Sequence, residues 1–348
     1  MTVRILQGDC REVLRTLPAA SVHCIVTSPP YWGLRDYGVA GQLGLESTPA
    51  EYVEKMVAVF SDVRRVLRDD GTLWLNLGDS YASIGHKKSH SGFGTTGLAG
   101  GIAQEHSPTR RENNGDGLKH KDLCGIPWRV AFALQSDGWY LRQDIIWSKP
   151  NPMPESVRDR CTKAHEYLFL FAKRERYYFD ADAIAEPLAD ASLARLEQPN
   201  LEQQAGSDRV PNKTNGPMKA VGKKQYHRSQ AGGGTNIDGH SGDYKPDGTP
   251  FEYLLTGKRN KRSVWNVTTQ PFKEAHFATF PPALIEPCIL AGCPVGGTVL
   301  DPFGGAGTTG LVADRHGRNA ILIELNPEYA DMARKRIVSD GPLFAEVA

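Results

Sequence analysis

The stretch Val299–Gly310, VLDPFGGAGTTG, decides the fold of this chain. An apolar strand pattern runs into a loop with glycines at 305, 307 and 310, and a helical pattern, LVADRHG, follows at once. Gly305-x-Gly307-x-x-Gly310 in that place permits a tight turn and a close backbone approach to a ligand. A further strand pattern, NAILIEL, and a further helical one, NPEYADMARKRI, complete a strand–helix–strand–helix run. Such a run predicts a parallel sheet with helices on both faces.

Glu324 ends the second of those strands, seventeen residues beyond Gly307. A carboxylate there can take both hydroxyls of a ribose. The loop is not a phosphate-gripping P-loop, because Thr308-Thr309 stands where Gly-Lys-Ser/Thr is needed. A nucleoside-containing cofactor is therefore expected, either NAD or S-adenosylmethionine. Asp301 offers a carboxylate to an ammonium group, which S-adenosylmethionine has and NAD lacks, and Phe303 offers an apolar wall.

At the other end of the chain, Thr27–Trp32 reads TSPPYW, directly after the apolar run VHCIV. Two prolines fix φ twice and remove two donors. The segment is read as a rigid platform that presents carbonyl oxygens, a hydroxyl and an aromatic face to something flat. An NAD-dependent oxidoreductase leaves it unexplained.

Between these ends the patterns follow in order. VRILQGDC is a strand that ends at Gly8-Asp9, and REVLRTLP is a short helix stopped by Pro18. Asp9 can cap that helix. From Thr48, an N-cap followed by Pro49, the apolar residues Tyr52, Met56, Val59, Phe60, Val63, Val66 and Leu67 share a helical face up to a stop at Gly71. TLWLNLGDSY, YLRQDIIWSKP and AHEYLFLFAK read as strands, IPWRVAFALQSDGW as a helix, and RYYFD as a last strand before regularity weakens. His165 and Glu166 open a strand and are taken as structural. Residues 84–121 are rich in Gly, Ser, His and charge, and read as a long mobile loop. The domain reading is thus 1–180, an irregular region 181–262, and 263–348, which completes the fold of the first part.

Net charge is +1, so bulk charge announces no partner, but basic residues dominate from Arg209 to Arg262. The longest apolar runs, YLFLF and AILI, are far too short to span a bilayer, and MTVRILQGDC has no signal-peptide layout. The six cysteines form no CxxC pair and read as reduced. A cytosolic protein with no structural metal and no membrane partner is expected.

TSPPYW resembles the catalytic motif of amino-group DNA methyltransferases, and DPFGGAGTTG resembles their S-adenosylmethionine motif. IELNPEY is similar to their ribose-binding strand, and HFATFP (His276 to Pro281) to the element that packs the methionine part of the cofactor. The motif order, catalytic first and cofactor last, is similar to the circularly permuted β group, whose target-recognition region lies between the two. The resemblance implies an α/β fold, a doubly wound, mostly parallel sheet, with an inserted irregular DNA-recognition region.

It implies also that Ser28, Pro29, Pro30 and Tyr31 receive a flipped base, with Ser28 Oγ and the Pro29 carbonyl accepting from its amino group and Tyr31 stacking on it. The cofactor would lie against Asp9, His276, Pro281, Asp301, Pro302, Phe303, Gly305, Gly307, Thr308, Glu324 and Asn326. Lys149 and Asn151, in WSKPNPMP, and Lys258, Arg259, Lys261 and Arg262, in GKRNKRSVW, would contact double-stranded DNA. Serine in the first motif position goes mostly with cytosine N4 in the family, and adenine N6 stays open. A cognate restriction endonuclease and a place at the bacterial nucleoid, in a bacterial or phage-encoded setting, belong to the same implication.

Overall fold

A computed structural model describes residues 1–34, 36–82, 117–196, 198, 257–270 and 279–340, together with the backbone of 222–224, 253–255 and 346–347. His276, the loop expected at 84–121 as far as residue 116, and most of the basic stretch lie outside the described residues.

In chain order the elements are β1 (Thr2–Gln7), α1 (Cys10–Thr16), β2 (Val22–Thr27), α2 (Pro49–Val66), β3 (Leu67–Leu77), α3 (Ile126–Ser136), β4 (Tyr140–Ser148) and β5 (His165–Ala172). Then come β6 (Glu186–Pro187), α4 (Asp190–Leu196), β7 (Gly222–Lys224), β8 (Tyr253–Leu255), β9 (Lys258–Arg259) and β10 (Val264–Asn266). The chain ends with α5 (Pro282–Gly292), β11 (Thr298–Asp301), α6 (Thr308–Arg315), β12 (Asn319–Glu324), α7 (Pro327–Asp340) and β13 (Glu346–Val347).

Two compact units result. Met1–Ala183 and Arg262–Ala348 form the first, and Ile184–Lys261 the second. The second holds two short antiparallel pairs, β6 with β9 and β7 with β8. The first is built on a nine-stranded sheet in the order β10-β4-β5-β3-β2-β11-β12-β1-β13. Its pairs are parallel except where β5 runs antiparallel to both β3 and β4.

Both faces of the sheet are covered, as near-continuous apolar strands require. Along β3 the side chains alternate. Leu73, Leu75 and Leu77 join a core with Tyr52, Met56, Phe60 and Val63 of α2 and Val130 and Leu134 of α3. Thr72 and Trp74, with Cys24 of β2, meet Gly292 of α5 from the other face. The buried stripe of α2 is the one its spacing predicts. Thr48 Oγ1 accepts from Glu51 N at 3.2 Å, and Pro49 takes the first turn, where no amide is needed.

Three local expectations change. Helix α2 ends at Val66, because Leu67 is already extended at φ −71°, ψ 136°, and Gly71 lies inside β3 rather than at a helix stop. RYYFD forms no strand. Tyr178 N donates to Asp70 O at 2.8 Å and Asp180 N to Ala291 O at 2.9 Å, single bonds to different elements in place of a ladder, while Phe179 stacks on Trp74. The end of GKRNKRSVW, where the sequence reading places no element, supplies β10, which pairs with β4 and buries Trp265.

The α5 packing is tight enough to test. A Cβ on Gly292 would fall 2.5 Å from Thr72 Oγ1, 2.7 Å from Trp74 Nε1 and 2.8 Å from Cys24 Sγ. Gly292→Ala is expected to lose about 1–3 kcal/mol through overpacking, read from urea denaturation; an unchanged midpoint shows that α5 can shift at no cost.

Candidate active site

In a parallel sheet, ligands bind outside the carboxyl ends of the strands. Here β1, β2, β3, β11 and β12 end at one edge, and a cavity of about 760 Å³ lies there. Its lining includes Asp9, Ser28, Pro29, Pro30, Tyr31, Lys149, Asn151, Asp301, Pro302, Phe303, Gly305, Thr308, Glu324 and Asn326. The two motifs from opposite ends of the chain thus share one hollow.

A buried carboxylate holds them together. Asp301 is 1% exposed. Its Oδ1 accepts from Thr27 Oγ1 at 2.6 Å and Phe303 N at 3.0 Å, and its Oδ2 from Thr309 Oγ1 at 2.6 Å. Thr27 immediately precedes Ser28, so the carboxylate ties the proline platform to the glycine loop and to α6. The sequence pattern assigns Asp301 to a cofactor ammonium; in the structure both of its oxygens already accept hydrogen bonds, from β2, the loop and α6. Burial raises its carboxyl to about 6, against the opposing effect of these hydrogen bonds.

The glycines divide the work. Gly305 is left-handed, at φ +49°, and a Cβ there would have only Phe303 O within 4 Å, so it opens to the cavity. Gly307, also left-handed, is pressed against α7, with Ala333 Cβ 2.8 Å from where its own Cβ would stand. It packs the helix and is absent from the cavity wall. Thr308 Oγ1 accepts from Arg336 of α7 at 2.8 Å. Glu324 Oε2 accepts from Gly305 N at 2.7 Å and Oε1 from Asn326 N at 2.8 Å, leaving lone pairs on a carboxylate at the cavity wall. Burial raises its carboxyl. Asn326 Oδ1 in turn accepts from Glu328 N at 2.9 Å, at the start of α7. Asp9 caps α1 through Arg11 N at 2.9 Å and pairs with the Arg11 guanidinium, which lowers its carboxyl. Pro281 is buried at the start of α5, and Thr279 and Phe280 line the cavity in its place.

The platform is braced from behind. Tyr52 Oη donates to Pro30 O at 2.9 Å, and Trp32 Nε1 donates to Glu46 O at 3.0 Å. Tyr31 is held by its hydroxyl. Its Oη lies 2.7 Å from Glu166 Oε2 and 3.0 Å from Asn76 Oδ1, and accepts from Ser28 Oγ at 3.3 Å. Burial first, then the Glu166 carboxylate, push the phenol well above its ordinary range. Gly78 makes room for the ring, since a Cβ there would stand 2.5 Å from Tyr31 Cε2.

Lys149 pairs with Glu166 Oε1 and lies 4.2 Å over the Trp147 ring. Asn151 exchanges two bonds with Thr269, donating at 3.2 Å and accepting at 3.0 Å. Arg259 and Lys261 both face Glu186, at 3.5 and 3.6 Å, in the second unit, while Lys258 and Arg262 are exposed. Asn76, Gly78 and Glu166 escape sequence reading. The visible signal is a polar or charged residue set in an apolar strand, Asn76 in β3 and Glu166 in β5.

The DNA methylase family model for N6 and N4 enzymes matches residues 22–335. This chain belongs to that family. The type II methyltransferase M.Cfr9I of Citrobacter freundii is 44% identical over 348 residues, covering 99% of this chain and 90% of that protein. M.SmaI of Serratia marcescens is 42% identical over 335 residues, covering 96% and 90%. Among solved structures, the putative DNA modification methylase TTHA0409 of Thermus thermophilus, complexed with S-adenosyl-L-methionine, superposes with a TM-score of 0.54 at 22% identity and covers 99% of both chains. PvuII DNA methyltransferase, cytosine-N4-specific, gives 0.55 at 18% identity, covering 96% of this chain and 87% of that one. The doubly wound sheet of this DNA methylase is the fold they share.

Asp301 gives the site a pH signature. Its folded value of about 6 lies above the ordinary 3.8, so between them the folded state holds the proton more tightly. The wild type therefore loses stability as pH rises from about 4 to about 6, by up to about 3 kcal/mol. Asp301→Asn removes this loss. Urea denaturation across that range is expected to show the variant gaining on the wild type; parallel curves would mean that Asp301 is ionised in both states.

Proposed function

We propose that this DNA methylase transfers a methyl group from S-adenosylmethionine to the exocyclic amino group of a flipped base in double-stranded DNA, with cytosine N4 as the acceptor. The carrying observation is the single cavity shared by Ser28–Tyr31 and the Asp301–Thr308 loop. The wall fits the cofactor: an open left-handed glycine, an apolar ring at Phe303, and a strand-end carboxylate with lone pairs to spare at Glu324. When bound, S-adenosylmethionine supplies a sulfonium methyl. Glu324 would hold the ribose, Phe303 and Pro302 would wall the apolar part, and Asp9 would stand at the adenine end.

The exocyclic nitrogen is a poor nucleophile because its lone pair is delocalised into the ring. Acceptors aimed at its hydrogens favour a tetrahedral nitrogen and stabilise the positive charge that develops on it. Ser28 Oγ and the Pro29 carbonyl are those acceptors, held still by Pro29 and Pro30. Extrusion from the duplex costs a few kcal/mol, and stacking on Tyr31 offsets about 1–3 kcal/mol of it. The choice of cytosine rests on serine in the first motif position. The order of motifs supports a permuted arrangement, with 181–262 as the recognition region. Lys149 and Asn151, at the cavity, would meet phosphate or base, and Lys258, Arg259, Lys261 and Arg262 the phosphates. The type II names of the relatives support a restriction–modification role beside a cognate endonuclease, in the bacterial cytoplasm at the nucleoid.

Mass spectrometry of digested, methylated DNA tests the acceptor: N4-methylcytosine is expected, and N6-methyladenine alone would replace cytosine by adenine. Glu324→Ala is expected to weaken cofactor binding by about 1–3 kcal/mol in calorimetry; an unchanged affinity in a folded variant would move the ribose site. Reversing Lys258 and Arg262 to Glu is expected to reduce the slope of log K against log salt by about 0.9 for each phosphate left unneutralised, and an unaltered slope would place the backbone-binding cations elsewhere.

A further inference from the structure

Resting on that reading of the site, we infer that Glu166 is a positioning residue that fixes the direction of the hydrogen bonds at Ser28, so that the serine faces the substrate as an acceptor. A hydroxyl is ambivalent, since it can donate or accept. An amino group on the base needs an acceptor, whereas a keto oxygen needs a donor. Something must decide which way the Ser28 proton points.

The chain of groups behind Ser28 decides it. Glu166 presents carboxylate oxygens, and an ionised carboxylate only accepts. Lys149 Nζ occupies Oε1. Oε2 faces Tyr31 Oη at 2.7 Å and Asn76 Nδ2 at 3.3 Å. The phenol has one proton and three acceptors in reach, Glu166 Oε2 at 2.7 Å, Asn76 Oδ1 at 3.0 Å and Ser28 Oγ at 3.3 Å. The carboxylate is both nearest and charged, so the proton belongs on that side. Asn76 cannot reverse its amide, because Nδ2 also donates to Tyr167 O at 3.1 Å. With its proton turned inward, Tyr31 Oη offers a lone pair to Ser28 Oγ, which donates to it at 3.3 Å. The Ser28 oxygen is then left with lone pairs toward the cavity. The carboxylate is 17% exposed and its lysine 18%, so little water competes for these directions.

Fold topology explains the placement. β5 runs antiparallel, so its first residues, not its last, stand at the edge where the parallel strands end. Lys163, which donates to Asp79 O at 3.2 Å, completes the charged surroundings with Lys149.

Glu166→Gln keeps the shape but adds an amide donor that can reverse the chain. Single-turnover methylation is expected to fall about 100-fold, with cofactor affinity by calorimetry unchanged. In Glu166→Ala, added formate is expected to restore part of the rate by supplying an acceptor at the vacated place. A readout free of turnover is the ¹³Cζ tyrosine NMR signal of Tyr31, assigned by its loss in Tyr31→Phe; it is expected to shift in Glu166→Gln without cofactor or DNA. A Glu166→Gln rate within twofold of wild type, no rescue by formate, or an unshifted Tyr31 signal would each overturn the inference. Absence of amino methylation by the wild-type protein would instead strike the functional reading on which it rests.

Discussion

A single buried carboxylate, Asp301, is the constraint on which this site depends. It receives hydrogen bonds from Thr27 at the end of β2, from Phe303 in the glycine loop and from Thr309 in α6. Burying a carboxylate with unfilled lone pairs costs several kcal/mol, and matched donors offset that cost. The geometry that satisfies Asp301 therefore fixes three backbone segments relative to one another. Two of them carry the cavity walls: the proline platform that begins at Ser28, and the loop that opens at Gly305. Burial raises the carboxyl to about 6 against the opposing effect of these hydrogen bonds.

The sheet explains why such distant segments converge. β2 and β11 are adjacent and parallel, so their carboxyl ends lie at one edge although the chain between them is long. The antiparallel β5 then contributes from its beginning. That reversal is why the cavity holds an acidic residue, Glu166, that no segment following a parallel strand supplies. The proline platform itself has little freedom: Tyr52 and Trp32 fasten it from the core side, and Gly78 clears the space for the Tyr31 ring.

Electrostatically the cavity divides into two ends. Around the glycine loop, Asp9, Asp301 and Glu324 are all engaged by local donors, and burial raises two of the three carboxyls. Around Tyr31, a carboxylate paired directly with an ammonium also receives an amide and a hydroxyl, and that hydroxyl takes a second one. The first arrangement suits a polar ligand with hydroxyls. The second suits a small planar group whose hydrogens must be oriented.

Most strands of the nine-stranded sheet, most helices and both motifs were legible in the sequence, because they rest on local regularities: period, caps, prolines and glycine spacing. The parallel order followed from strand–helix alternation, and the two-faced burial from apolar runs such as VHCIV. What sequence could not show was partnership across the fold. Asp301 as the hub, Gly307 as packing rather than lining, Pro281 behind the wall, and Glu166 inside the site all depend on which strands lie side by side and in which direction. A charged residue at the start of an apolar strand reads alike whether it meets solvent or a buried phenol. Only the antiparallel pairing of β5 between β3 and β4, a long-range pairing with no local signature, brings that carboxylate to Tyr31.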